Sequence, residues 1–390
     1  MTAKLRNFDY LSFAVMIALI AIGTVSVWSA GNARTEAVFH GTWLRNLATA
    51  AFGLVLYLAI AFSDYRRWLG LVAAPAYCLA LALLVAVLIF GSEQFGGRRW
   101  LWFFQPSEIS KLCVIAMIAW LYGGEDSPIA GVRRTFRGFL IAAAVVGLPA
   151  LLILKEPDLG TALTLIPAAV VMLVVAGVWR RGLVTILAGG GIAALMVLGA
   201  VYEAERPGVA RERRDKIMRF VPLRDHQVRR VKTFLFQDED QTGAGYNLRQ
   251  AKIAIGSGGF SGKGIGKSDS SHLKYLPQAV SMNDFIFCVY AEETGFIGSL
   301  VLLALFGTLL VLGCRAAFLS ADGGGRLLAL GVSTLVFAHV YVNVAMSIGV
   351  VPITGLPLPF ISSGRTFLIT AMCGFGVIQS VTIHREVKKR

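Results

Sequence analysis

Ten stretches of this chain are so apolar that water cannot be their solvent. They run roughly over 10–29, 46–62, 69–90, 107–122, 138–154, 159–178, 183–202, 284–314, 327–349 and 366–383. A helix needs about 20 apolar residues to cross the hydrocarbon of a bilayer. In hydrocarbon only helices and closed barrels satisfy their own backbone polar groups. The chain is 56% hydrophobic and 15% charged. Its mean hydropathy is +0.68. These features predict an all-α polytopic membrane protein with about ten transmembrane helices in a single membrane domain, 1–390. Helices one to seven occupy about 10–202, a large loop about 203–283, and helices eight to ten about 284–383. The second, fourth and fifth stretches are short, so their edges are the least defined. The first run follows Lys4 and Arg6 and is too long for a signal-peptide core, so it reads as a retained helix.

Orientation follows lysine and arginine, which concentrate in short cytoplasmic loops. With the N-terminus inside, the inner segments carry Lys4 and Arg6, Arg66 and Arg67, Arg133, Arg134 and Arg137, Arg180 and Arg181, Arg315 and Arg326, and a basic C-terminal tail. The short outer segments hold fewer. Both termini are therefore expected in the cytoplasm. The stretch 203–283 then lies outside although it holds 15 basic residues. Loops longer than about 60 residues escape the rule. The net charge of +14 would suggest nucleic acid in a soluble protein. Here it is assigned to cytoplasmic loops, anionic headgroups and an anionic substrate. The five cysteines, Cys78, Cys113, Cys288, Cys314 and Cys373, nearly all fall in apolar runs and include no CxxC pair. Neither a zinc site nor a disulfide framework is supported.

The chemistry concentrates where the long loop re-enters the membrane, in Ser281 to Gly298. This stretch puts three acids, Asp284, Glu292 and Glu293, at the mouth of a membrane helix expected to begin near Asp284. Acids there are functional by default, but Glu292 and Glu293 could equally pair with basic neighbours. Within the loop, Glu205 to Lys232 reads either as an interfacial amphipathic helix or as a solvated basic segment. The glycine-rich run Ala254 to Gly266 is not a Walker loop, since Ser261 stands where the first glycine is required. Two readings of it stand: turn chemistry, or backbone N–H groups that hold a phosphate with Lys263 and Lys267. Three outer junctions combine Pro or Gly with polar residues at a helix start, where N–H groups and the dipole favour anions. They are Gly96 to Lys111, Lys155 to Thr161 and Pro352 to Thr366. Glu108 and Lys111 are one turn apart and could simply neutralise each other. Trp100, Trp102, Phe103 and Phe104 suit an interfacial belt.

These residues resemble the SEDS family of shape, elongation, division and sporulation proteins, typified by RodA and FtsW. The matching pieces are Arg98-Arg-Trp100, Gln105-Pro-Ser-Glu-Ile-Ser-Lys111, Glu156-Pro-Asp-Leu-Gly-Thr161, Gly243-Ala-Gly-Tyr-Asn247, Ile255-Gly-Ser-Gly-Gly259, Asn283-Asp-Phe-Ile-Phe287 with Glu292-Glu-Thr-Gly295, and Pro352 to Gly364. They occur in order over about 95–375. Gly243 to Asn247 with Gln250 to Gly256, and the short termini, look like the RodA branch. Two departures stand out. The family's Leu-Pro-Glu-x-His-Thr-Asp-Phe is Leu276-Pro-Gln-Ala-Val-Ser-Met-Asn-Asp-Phe285 here, without the His. Its Pro-Phe-Ile-Ser-Tyr-Gly-Gly is Pro359-Phe-Ile-Ser-Ser-Gly-Arg365, which adds a charge.

The resemblance implies a peptidoglycan glycosyltransferase in the bacterial cytoplasmic membrane. It would polymerise lipid II at the outer face during elongation, beside a class B penicillin-binding protein and membrane proteins such as MreC and MreD. The family's essential loop aspartate falls on Asp284, its acid and lysine on Glu108 and Lys111, and its other outer aspartate on Asp158. Glycan polymerisation needs a carboxylate that takes a proton from a sugar 4-hydroxyl and cations or N–H groups that stabilise the departing pyrophosphate. Asp284 is the expected base. Lys111, Arg98, Arg99 and Arg365 are candidates for the pyrophosphate, and Glu108, Asp158, Lys263, Ser362 and Ser363 are further candidate substrate contacts. An α-linked donor giving a β-linked product needs one inverting displacement and no nucleophilic residue. The pattern establishes no cofactor and fixes no metal, leaving a divalent cation open. Competing readings are a lipid II flippase and a non-catalytic scaffold of the cell-wall machinery.

Overall fold

The computed structural model describes residues 5–32, 41–94, 97–102, 104–206, 208–221, 223, 225–237, 243–266 and 278–385. Lys267, Phe103 and the segment 276–277 fall outside the described residues, as does the side chain of Arg98. Ten helices cover the ten apolar stretches: α1 (Tyr10–Asn32), α2 (Thr42–Phe62), α3 (Tyr65–Phe90), α4 (Pro106–Tyr122), α5 (Phe136–Lys155), α6 (Leu159–Val175), α7 (Arg180–Glu205), α12 (Ile286–Phe318), α13 (Gly323–Ser347) and α14 (Arg365–Ile383). Among the described residues, eight of them are long and apolar enough to cross a membrane. The exceptions are α4 and α6. Each of these has 17 residues, about 25 Å of helix, and both start at a polar junction.

Helix starts follow local chemistry. Pro106 occupies the first turn of α4, where its missing N–H costs nothing. Thr135, Asp158 and Asp322 cap α5, α6 and α13 by accepting from Gly138, Thr161 and Gly325 N–H, each such cap contributing about 1 kcal/mol. Burial is unequal. In α14, 83% of the apolar window is buried, against 6% in α7. The first is therefore the bundle's core helix and the second faces lipid nearly all round. Close packing of α14 on α2 depends on Gly376, where a Cβ would lie 2.9 Å from Tyr57 O, the small-residue contact common between membrane helices.

The expected helix start at Asp284 is corrected. The loop's last helix, α11 (Gln278–Asn283), ends one residue earlier, Asp284 lies in the turn, and α12 begins at Ile286. Helix α12 has 33 residues and breaks at Gly295, whose φ is 69°. A straight helix of that length would run about 50 Å, well beyond the hydrocarbon. Residues 286–293 are all buried in protein, whereas Phe296, Ile297, Leu300 and Val301 are exposed. Residues 296–318 alone are long enough to span. Glu292 and Glu293 thus precede the lipid-facing part instead of sitting within it.

The glycine-rich run packs into this break. Lys263 and Gly264 donate their N–H groups to Glu292 O and Glu293 O at 3.0 Å, and Phe296 N–H donates to Gly259 O at 2.9 Å. A Cβ on Gly262 would fall 2.1 Å from Glu293 O. These glycines admit another backbone, and two of the N–H groups considered for a phosphate are spent on carbonyls. Upstream, α8 (Arg211–Met218), α9 (Asp225–Leu235) and α10 (Ala244–Ser257) fill the long loop. Glu205 to Lys232 is neither one interfacial helix nor a solvated coil. Val221 and Val228 pack on Val201 of α7, and Glu205 binds Arg214 and Lys232 at 2.6 Å each. Helix α10 lays Ala251 and Ala254 against Phe285 and Cys288. A two-stranded hairpin, β1 (Ser92–Gln94) with β2 (Gly97–Trp100), follows α3.

Candidate functional site

Asp284 is held by its backbone, and among the described residues its carboxylate has no hydrogen bond. Asn343 of α13 donates Nδ2 to Asp284 O at 2.9 Å and to Leu356 O at 2.7 Å. Ser362 donates Oγ to Asn283 O, and Ser363 donates Oγ to Asn283 Oδ1, each at 2.7 Å. The segment before α14 therefore grips the turn from one side and α13 from the other. A Cβ on Gly355 would come 3.3 Å from Asp284 Oδ2, so glycine there leaves room beside the carboxylate.

Three junctions converge on this turn. Strand β2 delivers Arg99, whose Nη2 donates to Pro157 O and whose buried Nε has no partner among the described residues. Asp158 caps α6, accepting from Thr161 N–H at 3.2 Å and Thr161 Oγ1 at 2.8 Å, and also receives Gln105 Nε2 at 2.9 Å. Arg230 of α9 donates to Thr354 O at 3.1 Å. Burial raises the Asp284 pKa from its ordinary value to about 6. Arg230 and Arg99 pull it down and Asp158 pushes it up. Glu156 is 0% exposed, neither carboxyl oxygen has a partner among the described residues, and burial pushes its pKa up to about 9, with Asp158 adding to the rise and Arg99 opposing it. Burial also lowers the Arg230 pKa. At neutral pH Glu156 is a neutral acid and Asp284 an anion.

A second cluster lies one turn into the bundle. Lys111 Nζ contacts Glu108 Oε2 at 2.8 Å and His339 Nε2 at 2.9 Å. Lys111 also sits over the Phe367 ring at 5.6 Å. All of Glu108, Lys111 and His339 are buried. Glu108 and Lys111 do pair, and His339 joins them.

The structure brings Asp284, Asp158 and Arg99 to one end of the bundle, with Glu108 and Lys111 behind them and Ser362 and Ser363 supporting the turn. Arg365 is exposed at the start of α14. Lys263 stands apart, bound to Glu292 Oε1 at 2.6 Å, and Ser257 Oγ reaches the same oxygen at 3.2 Å. Glu293 accepts from Ser29 Oγ and from Gly266 N–H. The basic-partner reading thus holds for Glu292, while Glu293 takes neutral donors. Sequence reasoning missed Arg230, Glu156, His339 and Asn343. For the last two a signal existed: His339, Asn343 and Ser347 fall at i, i+4 and i+8, a polar stripe on one face of an apolar helix.

Of the acids at this end, Glu108 is consumed by Lys111, Asp158 by its cap, and Glu156 is sealed. Asp284 alone is half-buried with no hydrogen bond to its carboxylate among the described residues. The fold and site define a multi-pass helical membrane protein with a charged, chemistry-bearing centre at one end of its bundle. Residues 9–387 match the cell cycle protein family of FtsW, RodA and SpoVE, and the chain belongs to that family. It is 33% identical over 386 residues to the peptidoglycan glycosyltransferase MrdB of Escherichia coli K12, covering 98% of this chain and 95% of the relative. It is 30% identical over 392 residues to the stage V sporulation protein E of Bacillus subtilis, covering 98% and 99%. Among solved structures, the rod shape determining protein RodA of Thermus thermophilus superposes with a TM-score of 0.66 at 26% identity over 98% of both chains. A chain from a peptidoglycan synthase complex that coordinates polymerization and crosslinking superposes with a TM-score of 0.74 at 28% identity, over 96% of this chain and 97% of that one.

Proposed function

We propose that this protein is an inner-membrane peptidoglycan glycosyltransferase that polymerises lipid II, with Asp284 as general base. The observation that carries the base assignment is the unshared, half-buried carboxylate of Asp284 between Arg99 and Arg230. Asp284 takes the proton of the acceptor sugar's 4-hydroxyl. That oxygen forms a bond to C1 of the donor, the C1–O bond to pyrophosphate breaks, and configuration inverts in one displacement. The arginines, with Lys111 behind them, receive the charge that develops on the leaving group. Arg365, exposed at the start of α14, adds positive charge at this end, and Arg98 remains a candidate from its place in the sequence. Ser362, Ser363 and Asn343 act on Asp284 by fixing the turn, and Asp158 acts by capping α6 beside Arg99.

The site faces the outside of the cell in this reading. The partner is a class B penicillin-binding protein that cross-links the product, and the elongation role follows the MrdB and RodA likeness. MreC and MreD are the neighbours such a role implies. The test is incubation of purified protein with lipid II, with and without the penicillin-binding partner, and separation of glycan strands on a gel. Wild type should give polymer. Asp284→Asn keeps size and hydrogen bonding but removes basicity. It should still bind lipid II and its partner while losing roughly 10²–10⁴-fold in polymerisation. Near-wild-type polymer from Asp284→Asn overturns the base assignment, and loss of partner binding along with activity makes the turn structural.

A further inference from the structure

At the opposite end of the bundle the links between α4 and α5, α6 and α7, and α12 and α13 enclose a second polar feature. A cavity of about 470 Å³ is lined by Arg134, Trp179, Arg180 and Arg181 together with Gly177 and Val178. A second cavity of about 280 Å³ shares Arg134 and Gly177 with it and adds Arg133, Arg326 and Glu125. Five arginines thus face one acid. Arg134, Arg180, Arg181 and Arg326 are exposed, and none makes an ion pair among the described residues. Elsewhere on the same chain basic groups do find acids, as Arg66 finds Asp322 at 3.2 Å and Lys232 finds Glu205. Arg6, Arg67 and Arg315 at this end also make no ion pair among the described residues; what sets this place apart is that several exposed arginines line two adjoining recesses together.

The depth of the pocket is marked by its neighbours. Trp179 meets Phe136 and Phe139 edge-on at 5.4 and 5.6 Å. Tryptophan and aromatic clusters of this kind sit at headgroup level. Phe136, Val174 and Val175 are exposed apolar residues close to these arginines in sequence, so an apolar surface that suits acyl chains adjoins the basic one. Helices α4 and α6 separate this end from Asp284 by about 25 Å, so the pocket is no extension of the polymerisation site.

We infer that this pocket binds the phosphate of an anionic phospholipid from the leaflet opposite Asp284. A guanidinium cluster presents paired donors to phosphate oxygens. A basic recess at the ends of membrane helices is the geometry that takes a phospholipid headgroup. The lipid ties the α5 and α7 starts together, where α7 is mostly exposed beyond Gly182 and Leu183.

The experiment is native mass spectrometry of the full-length protein released from detergent. It is titrated with dioleoyl phosphatidylglycerol, with dioleoyl phosphatidylcholine, and with phosphatidylglycerol in excess inorganic phosphate. Wild type should retain phosphatidylglycerol in preference to phosphatidylcholine, and inorganic phosphate should not displace it. The variant Arg134→Ala/Arg180→Ala/Arg181→Ala should lose that preference by roughly 100-fold, three arginines each contributing about a factor of five. The charge-matched control Arg6→Ala/Arg67→Ala/Arg315→Ala, at the same end of the bundle, should keep it. Equal loss in both variants reduces the effect to diffuse positive charge and overturns the site. Retention by the pocket variant overturns it outright. Displacement by inorganic phosphate assigns the pocket to a soluble anion and overturns the lipid.

Discussion

A general base works only while it is ionised, and Asp284 has a pKa raised to about 6, first by burial. Its carboxyl is protonated below that value and loses basicity as pH falls through it. Polymerisation by the purified protein should therefore rise with pH through an apparent pKa near 6 and level off above 7. A profile flat from 5 to 8 would assign proton transfer elsewhere. Lys111 makes a different case, since Glu108 neutralises it and His339 shares it. Lys111→Met should abolish polymer formation and also leave Glu108 unpaired in a dry site, a cost of about 3–5 kcal/mol. Adding Glu108→Gln should return thermal stability but not turnover. Recovered turnover in the double variant would make the pair structural. Asp284, Asp158, Glu108 and Lys111 were legible because acids and lysines at apolar helix starts are rare and costly. Arg230 was not, since one arginine among 15 basic loop residues carries no mark of which one turns inward. Glu156 hid for the opposite reason: its sequence neighbours at a helix end look solvated, and only the fold seals it.

Each long helix was readable from its own apolar run, and every one of the ten formed within a few residues of its expected bounds. The break in α12 was not, because its cause is tertiary. Gly295 adopts φ 69° so that the Gly258 to Gly264 backbone can dock against it. A Cβ there would come 2.4 Å from Gly262 N. The sequence carried the glycines but not which backbone they admit. Gly295→Ala and Gly262→Ala should each lower the unfolding temperature in detergent, since the left-handed conformation alone costs a non-glycine residue about 1–2 kcal/mol before the clash is counted. Gly256 in α10 is the control. Its Cβ would meet nothing within 4 Å, and Gly256→Ala should leave stability unchanged or raise it by about 0.5–1 kcal/mol. Equal losses at all three positions would mean that the loop does not lock the break.

At the scale of the whole molecule, the placement of charge decides which end of the bundle faces which compartment. The Asp284 end holds Arg99, Arg230 and the long loop with its 15 basic residues, which read alone would draw it inward. The other end holds Arg66, Arg67, Arg133, Arg134, Arg137, Arg180, Arg181, Arg315 and Arg326 in short links, and only short links obey the charge rule. Basic residues in the long loop are also partly spent, Lys263 on Glu292 and Lys232 on Glu205, and Arg230 on Thr354 O. The charge rule thus assigns the short-link end to the cytoplasm, and under the proposed function the Asp284 end would face outside. Ser261 and Gly131 report the two ends: both are exposed, and Gly131 has open space at its Cβ. In a chain otherwise freed of cysteine, Ser261→Cys should react with a membrane-impermeant maleimide added to spheroplasts, and Gly131→Cys should react only after the membrane is opened. The opposite labelling would invert the molecule, place Asp284 in the cytoplasm, and remove extracellular glycan synthesis as a function of this site.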